Sequence, residues 1–106
     1  MAKYLTTASY NSDGVRGLIK DGGSARRAAV QKLVEGLGGK LEGFYFAYGD
    51  HDAYVISELP DATAALAISL AVNASGAVGA KTVPLITAEE MDAATKRTVA
   101  YRAPGA

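Results

Sequence analysis

The sequence predicts one α+β domain: a four-stranded antiparallel sheet with helices on one face and a further helix after the last strand. Three observations carry this prediction. Residues 3–10, 40–48, 52–58 and 78–86 show the alternation or the aromatic and β-branched content of strands. Residues 25–37 and 62–73 lie between those strands and read as helices. The chain is 106 residues long, near the commonest size for a single domain, and it shows no linker and no internal repeat.

Each element has a local reason. Residues 3–10 alternate threonine, tyrosine and leucine, and Asn11, Ser12, Asp13 and Gly14 then break the strand with turn and capping residues. Val15 to Lys20 reads as a short helical turn. Ser24 is placed as the N-cap of a helix over Ala25–Leu37, whose Val30, Leu33, Val34 and Leu37 form a single apolar stripe. Gly38 and Gly39 supply its left-handed stop. Residues 40–48 form an aromatic strand, Gly49, Asp50 and His51 a hairpin turn, and residues 52–58 the returning strand. Pro60 and Asp61 open a helix over Ala62–Asn73. Pro84 suits an edge strand over residues 78–86, because it cannot donate to a ladder. Thr87 and Glu90 form a capping box for a helix over residues 88–96. The order is β-α-β-β-α-β plus a helix, the ferredoxin-like plan, with the domain over residues 1–97 and a tail over 98–106.

The two middle strands have apolar side chains on both faces. Phe44 and Phe46 oppose Tyr45, while Tyr54 and Ile56 oppose Val55. A sheet with one wet face should alternate apolar and polar residues. An apolar patch of several hundred Å² is rare on a monomer, so the second face is expected to pair with another copy of the chain. The other reading is an amphipathic face on which tyrosines tolerate water.

Composition narrows the function. Eleven basic and eleven acidic side chains leave no net charge, and no polybasic run is present. Nucleic-acid and membrane-surface partners are therefore not expected. With no cysteine there is no disulfide, thiolate chemistry or cysteine metal site. The first residues lack the apolar core of a signal peptide, and the run from Ala64 to Val72 is too short to span a bilayer, which predicts a cytoplasmic protein.

The segments SARRAAVQKLVEGLGGKLEGFYFAYGDHDAYVI and LAVNASGAVGAKTVPLITAEEMDAA resemble the GYD-domain family. The resemblance covers nearly the whole chain, from residue 1 to the capping box at Thr87. It implies a small bacterial protein of the dimeric α/β-barrel fold, in a family mostly described as of unknown function. The family's glycine, tyrosine and aspartate motif falls on the hairpin, where Gly49 and Asp52 match and His51 stands in the tyrosine's place. Wider relatives of that fold include monooxygenases, isomerases and haem-degrading enzymes that use the barrel interior.

Three sets of residues are candidates for chemistry. His51, the only histidine, lies between Asp50 and Asp52; it suits a proton acceptor oriented by Asp52, or a polar hairpin tip. The cluster lacks the further ligands of a zinc site, so no metal is expected. Tyr4, Tyr10, Tyr45, Tyr48 and Tyr54 sit on or near strands and suit the lining of a ligand pocket, or simply core and interface. Gly23, Ser24, Arg26 and Arg27 suit an anion site at a helix start, or a turn followed by a solvated basic face. The first expectation for function is a homo-oligomeric protein that binds a small organic ligand without a cofactor. A self-assembling structural subunit, or a cofactor-independent monooxygenase-like or isomerase-like enzyme using His51, are the alternatives.

Overall fold

The computed structural model describes every residue, Met1–Ala106. Eight elements follow in order: β1 (Ala2–Tyr10), α1 (Ser12–Asp21), α2 (Gly23–Gly36), β2 (Lys40–Phe46), β3 (Ala53–Leu59), α3 (Ala62–Ala74), β4 (Val78–Leu85) and α4 (Ala88–Thr95). The strands form one antiparallel sheet in the order β2-β3-β1-β4. This is the expected α+β, ferredoxin-like arrangement, with one helix more than the sequence suggested.

That extra helix is α1. Val15 to Lys20 belongs to a ten-residue helix rather than a single turn. Gly14 and Gly17 hide it, since each lowers helix propensity by about 1 kcal/mol relative to alanine. Gly14 is needed for space: a Cβ there would lie 2.4 Å from the Ala77 carbonyl oxygen. Asn11 caps the helix, its Oδ1 accepting from the Gly14 N–H at 3.0 Å while its own N–H donates to Ala77 O at 3.0 Å. A second correction concerns Ser24. It lies inside the first turn of α2, and the N-cap is Gly22, at φ 85°, with no side-chain bond. Gly38, at φ 79°, ends α2 as expected, its N–H donating to Glu35 O at 3.0 Å.

Asp61 caps α3 by accepting from the Ala64 N–H at 2.8 Å, and Thr87 and Glu90 form the predicted capping box of α4. Pro84 lies in β4, an edge strand. The same outer edge is covered further along by Asn73 of α3. Its Oδ1 accepts from the Ala80 N–H at 2.8 Å and its Nδ2 donates to the Ala80 oxygen at 3.1 Å. One amide thus completes both backbone groups of a strand residue that has no neighbouring strand on that side.

Register fixes which side chains share a face. On the helix side, Phe46, Ala53, Ala8 and Ala80 form one row across the four strands, and Phe44, Val55, Thr6 and Thr82 form the next. On the open side run Val83, Leu5, Ile56 and Gly43, beside Lys81, Thr7, Tyr54 and Tyr45. A register shift between Leu41 and Gly43 lets Glu42 reach Lys3 at 3.2 Å at the margin of that face.

The core is split. Tyr4, Val34, Leu59, Ala64 and Ala65 make one buried cluster, and Ala8, Ala53 and Val78 another. Every residue from Ile86 to Ala106 is exposed, so α4 and the tail stand away from the sheet. The radius of gyration is accordingly 17.0 Å, against about 13 Å for a compact domain of this length.

Asn73→Ala removes both bonds to Ala80 and is expected to cost about 1–2 kcal/mol, read as a lower urea midpoint at unchanged m-value.

Candidate functional site

The gap between the two core clusters is a cleft bounded by the sheet, α2 and α3. Its floor has small side chains where a packed sheet would carry large ones: Ala53, Ala8 and Ala80 in one row, Thr6 and Thr82 in the next, and Ser57 beyond them. Val30, Leu33 and Val34 of α2 and Ala65, Ile68 and Val72 of α3 form the walls. The space measures about 620 Å³ out to its open mouth. Its inner part is much smaller, about 50 Å³, room for a few waters. Anything larger than that would have to extend into the mouth, between α2 and α3.

Burial of a leucine in place of alanine at such a floor is worth about 2–5 kcal/mol where it fits. A chain that leaves three adjacent alanines under its helices forgoes that gain. Such a departure from consistent packing is what a binding site requires.

Of the 19 residues around the cleft, 14 are hydrophobic, and Arg26 alone is charged. Its guanidinium carbon lies 6.0 Å from the centre of the Tyr10 ring, at the outer reach of a cation–π contact. Nε is buried with no hydrogen-bond partner, a condition worth about 1–3 kcal/mol of desolvation. The chain's ion pairs join Lys3 to Glu42 and Glu58 and Arg16 to Asp13, and none includes Arg26. Within the cleft, the Thr6 and Thr82 hydroxyls bond each other at 2.9 Å.

The candidate residues separate in space. Among the tyrosines, only Tyr10 lines the cleft; Tyr4 is buried in the adjacent core cluster. Tyr54 and Tyr45 lie on the opposite face of the sheet, with Tyr45 against Gly43, and Tyr48 is fully exposed in the hairpin. His51 packs edge-on against Tyr54, ring centres 5.8 Å apart, away from the cleft. Asp52 does not bond it. The Asp52 carboxylate instead accepts from the Tyr10 N–H at 2.8 Å, while its own N–H donates to Ala8 O at 2.8 Å, so the residue latches the hairpin to β1. No three histidine, aspartate or glutamate side chains gather as a metal site. Of the anion set, Arg26 turns into the cleft. Gly23 sits beneath Phe46, whose ring would be 3.0 Å from a Cβ added there, and Ser24 and Arg27 are exposed.

The family model of the GYD domain matches residues 4–95, which include every residue around the cleft. This chain belongs to the GYD domain family. The match closes at the last residue of α4, leaving the tail of this GYD domain outside it. No curated protein and no solved structure matches the chain, and no helix is long and apolar enough to cross a membrane.

The contrast between floor and core is testable by adding the same two methyl groups to each. Ala8→Val extends into the cleft and is expected to stabilise by about 1 kcal/mol, raising Tm by about 4–8 °C. Ala64→Val, in the packed cluster beside Leu59, is expected to destabilise by about 1–3 kcal/mol. Equal losses in a thermal melt would mean that the space beneath the helices is not there to fill.

Proposed function

We propose that this GYD domain binds a small, largely apolar organic molecule in the cleft between its helices and sheet, and that it works as a homo-oligomer joined through the open sheet face. The observation that carries the binding reading is the floor of alanine, threonine and serine beneath apolar walls. Apolar concavities with a few polar groups are the usual form of small-molecule sites.

The oligomeric part rests on the other face. Val83 and Tyr45 are 50% and 68% exposed there, beside half-buried Leu5, Ile56 and Tyr54. Charges collect at its margins, in Lys3, Glu58, Lys40 and Lys81. An apolar band with a charged border suits a second sheet laid across it, at about 25 cal/mol for each Å² removed from water. In that arrangement the two clefts stay on the outer sides of the pair, one per subunit, each closed by its own helices. A purely structural role, the alternative, would leave the alanine floor without a purpose.

A thermal-shift screen with short aliphatic alcohols and aromatic hydrocarbons tests the binding reading. A ligand at about 100 times its Kd should add about 2.7 kcal/mol of stability. The cleft-filling Ala8→Val variant should lose most of that response, and His51→Ala should keep it. A response unchanged by Ala8→Val would move the ligand elsewhere. For the pairing, sedimentation should give a dimer or larger species at micromolar concentration, and Ile56→Asp should give monomers; a wild-type monomer would refute the sheet-face contact.

A further inference from the structure

We propose that the ligand is a monocarboxylate on an apolar body, its carboxylate held by Arg26 at the side of the cleft and its body laid across the alanine row. The inference rests on the binding reading above and adds the charge and shape of the guest.

Arg26 brings the only formal charge to the cleft wall, and no ion pair of the chain offsets it. Asp13 and Asp21 border a neighbouring groove on its outer side, but neither lines the cleft, and Asp13 is engaged by Arg16. Arg26 lines both the cleft and that groove; its Nε is sealed in the protein without a partner, and its terminal amino groups, which bond no side chain or backbone atom, are left to meet a guest. A planar guanidinium presents them as a fork that matches the two oxygens of a carboxylate. One fixed positive charge balances one negative charge. A phosphate dianion would carry its second charge into a site whose other walls are mainly aliphatic, where nothing compensates it.

The rest of the guest must be apolar. Thr6 and Thr82 bond each other, which leaves one O–H proton between them; with Ser57 and Ser69 these are the few hydroxyls of a lining in which Ala8, Ala53, Ala80 and Val55 offer no polar side-chain atom. A sugar or an amino acid would leave its own hydroxyl or ammonium groups unpaired on such a floor.

Isothermal titration of the purified full chain at neutral pH with octanoate, 1-octanol and octyl phosphate tests this. Octanoate is expected to bind at least about tenfold more tightly than 1-octanol, the advantage of a charge-assisted pair, and more tightly than octyl phosphate. Arg26→Gln should bring octanoate down to the affinity of the alcohol and leave the alcohol unchanged, with Arg26→Lys between the two. Equal binding of acid and alcohol by the wild type, or tighter binding of octyl phosphate, overturns the carboxylate assignment while leaving an apolar ligand site in place. Binding of none of the three overturns the functional reading together with it. Because the wild-type comparison alone decides the matter, the conclusion survives if an Arg26 variant does not fold.

Discussion

Across the middle of the sheet, Ala53, Ala8 and Ala80 stand side by side on β3, β1 and β4, each at a position where the helices above offer apolar cover. Helices resting on a sheet normally close the space with branched side chains, because interiors pack at the density of organic crystals. Here α2 closes on the sheet through Val34 and Leu59 at one end, while Ala8 and Ala53 touch Val78 on one side and border the cleft on the other. The centre stays open. The split core, the seam between α2 and α3, and the access of Arg26 to the interior all follow from that row of missing volume.

The sheet separates two kinds of surface. Its helix side carries the cleft, and its open side carries an apolar band bordered by Lys3, Glu42 and Glu58, whose ion pairs lie at one margin. The hairpin joining β2 and β3 belongs to the second surface: His51 leans on Tyr54, while Asp52 is committed to the backbone of β1. The bonds of Asp52 therefore run to β1 and not to its neighbour in sequence: its carboxylate meets the Tyr10 N–H while the His51 ring meets Tyr54.

Most of the fold is legible in the sequence because its signals are local. Alternation marks β1, aromatic and β-branched residues mark β2 and β3, the stripe from Val30 to Leu37 marks α2, Pro84 marks an edge, and Thr87 with Glu90 marks a helix start. α1 is obscured by two glycines, one of which is required by a carbonyl 63 residues away, at Ala77 just before β4. The cleft is less legible for a related reason. Alternation puts Thr6 and Ala8 on one face of β1, and Ala80 and Thr82 on one face of β4. Only the register shows that they adjoin one another and Ala53. The tyrosines are conspicuous in the sequence, but strand parity divides them between the faces. A count of small residues at alternate positions of the strands would have marked the site better than a count of aromatic ones.

The alanine row also has a consequence for how this chain can change. Each of the three positions belongs to a different strand, and each borders the same void. Enlarging any one of them shortens the chamber while leaving the backbone ladder intact, with Ala8 and Ala53 also pressing on Val78. The length of the chamber is thereby set by three dials, each turned by a single substitution, on one unchanged backbone scaffold.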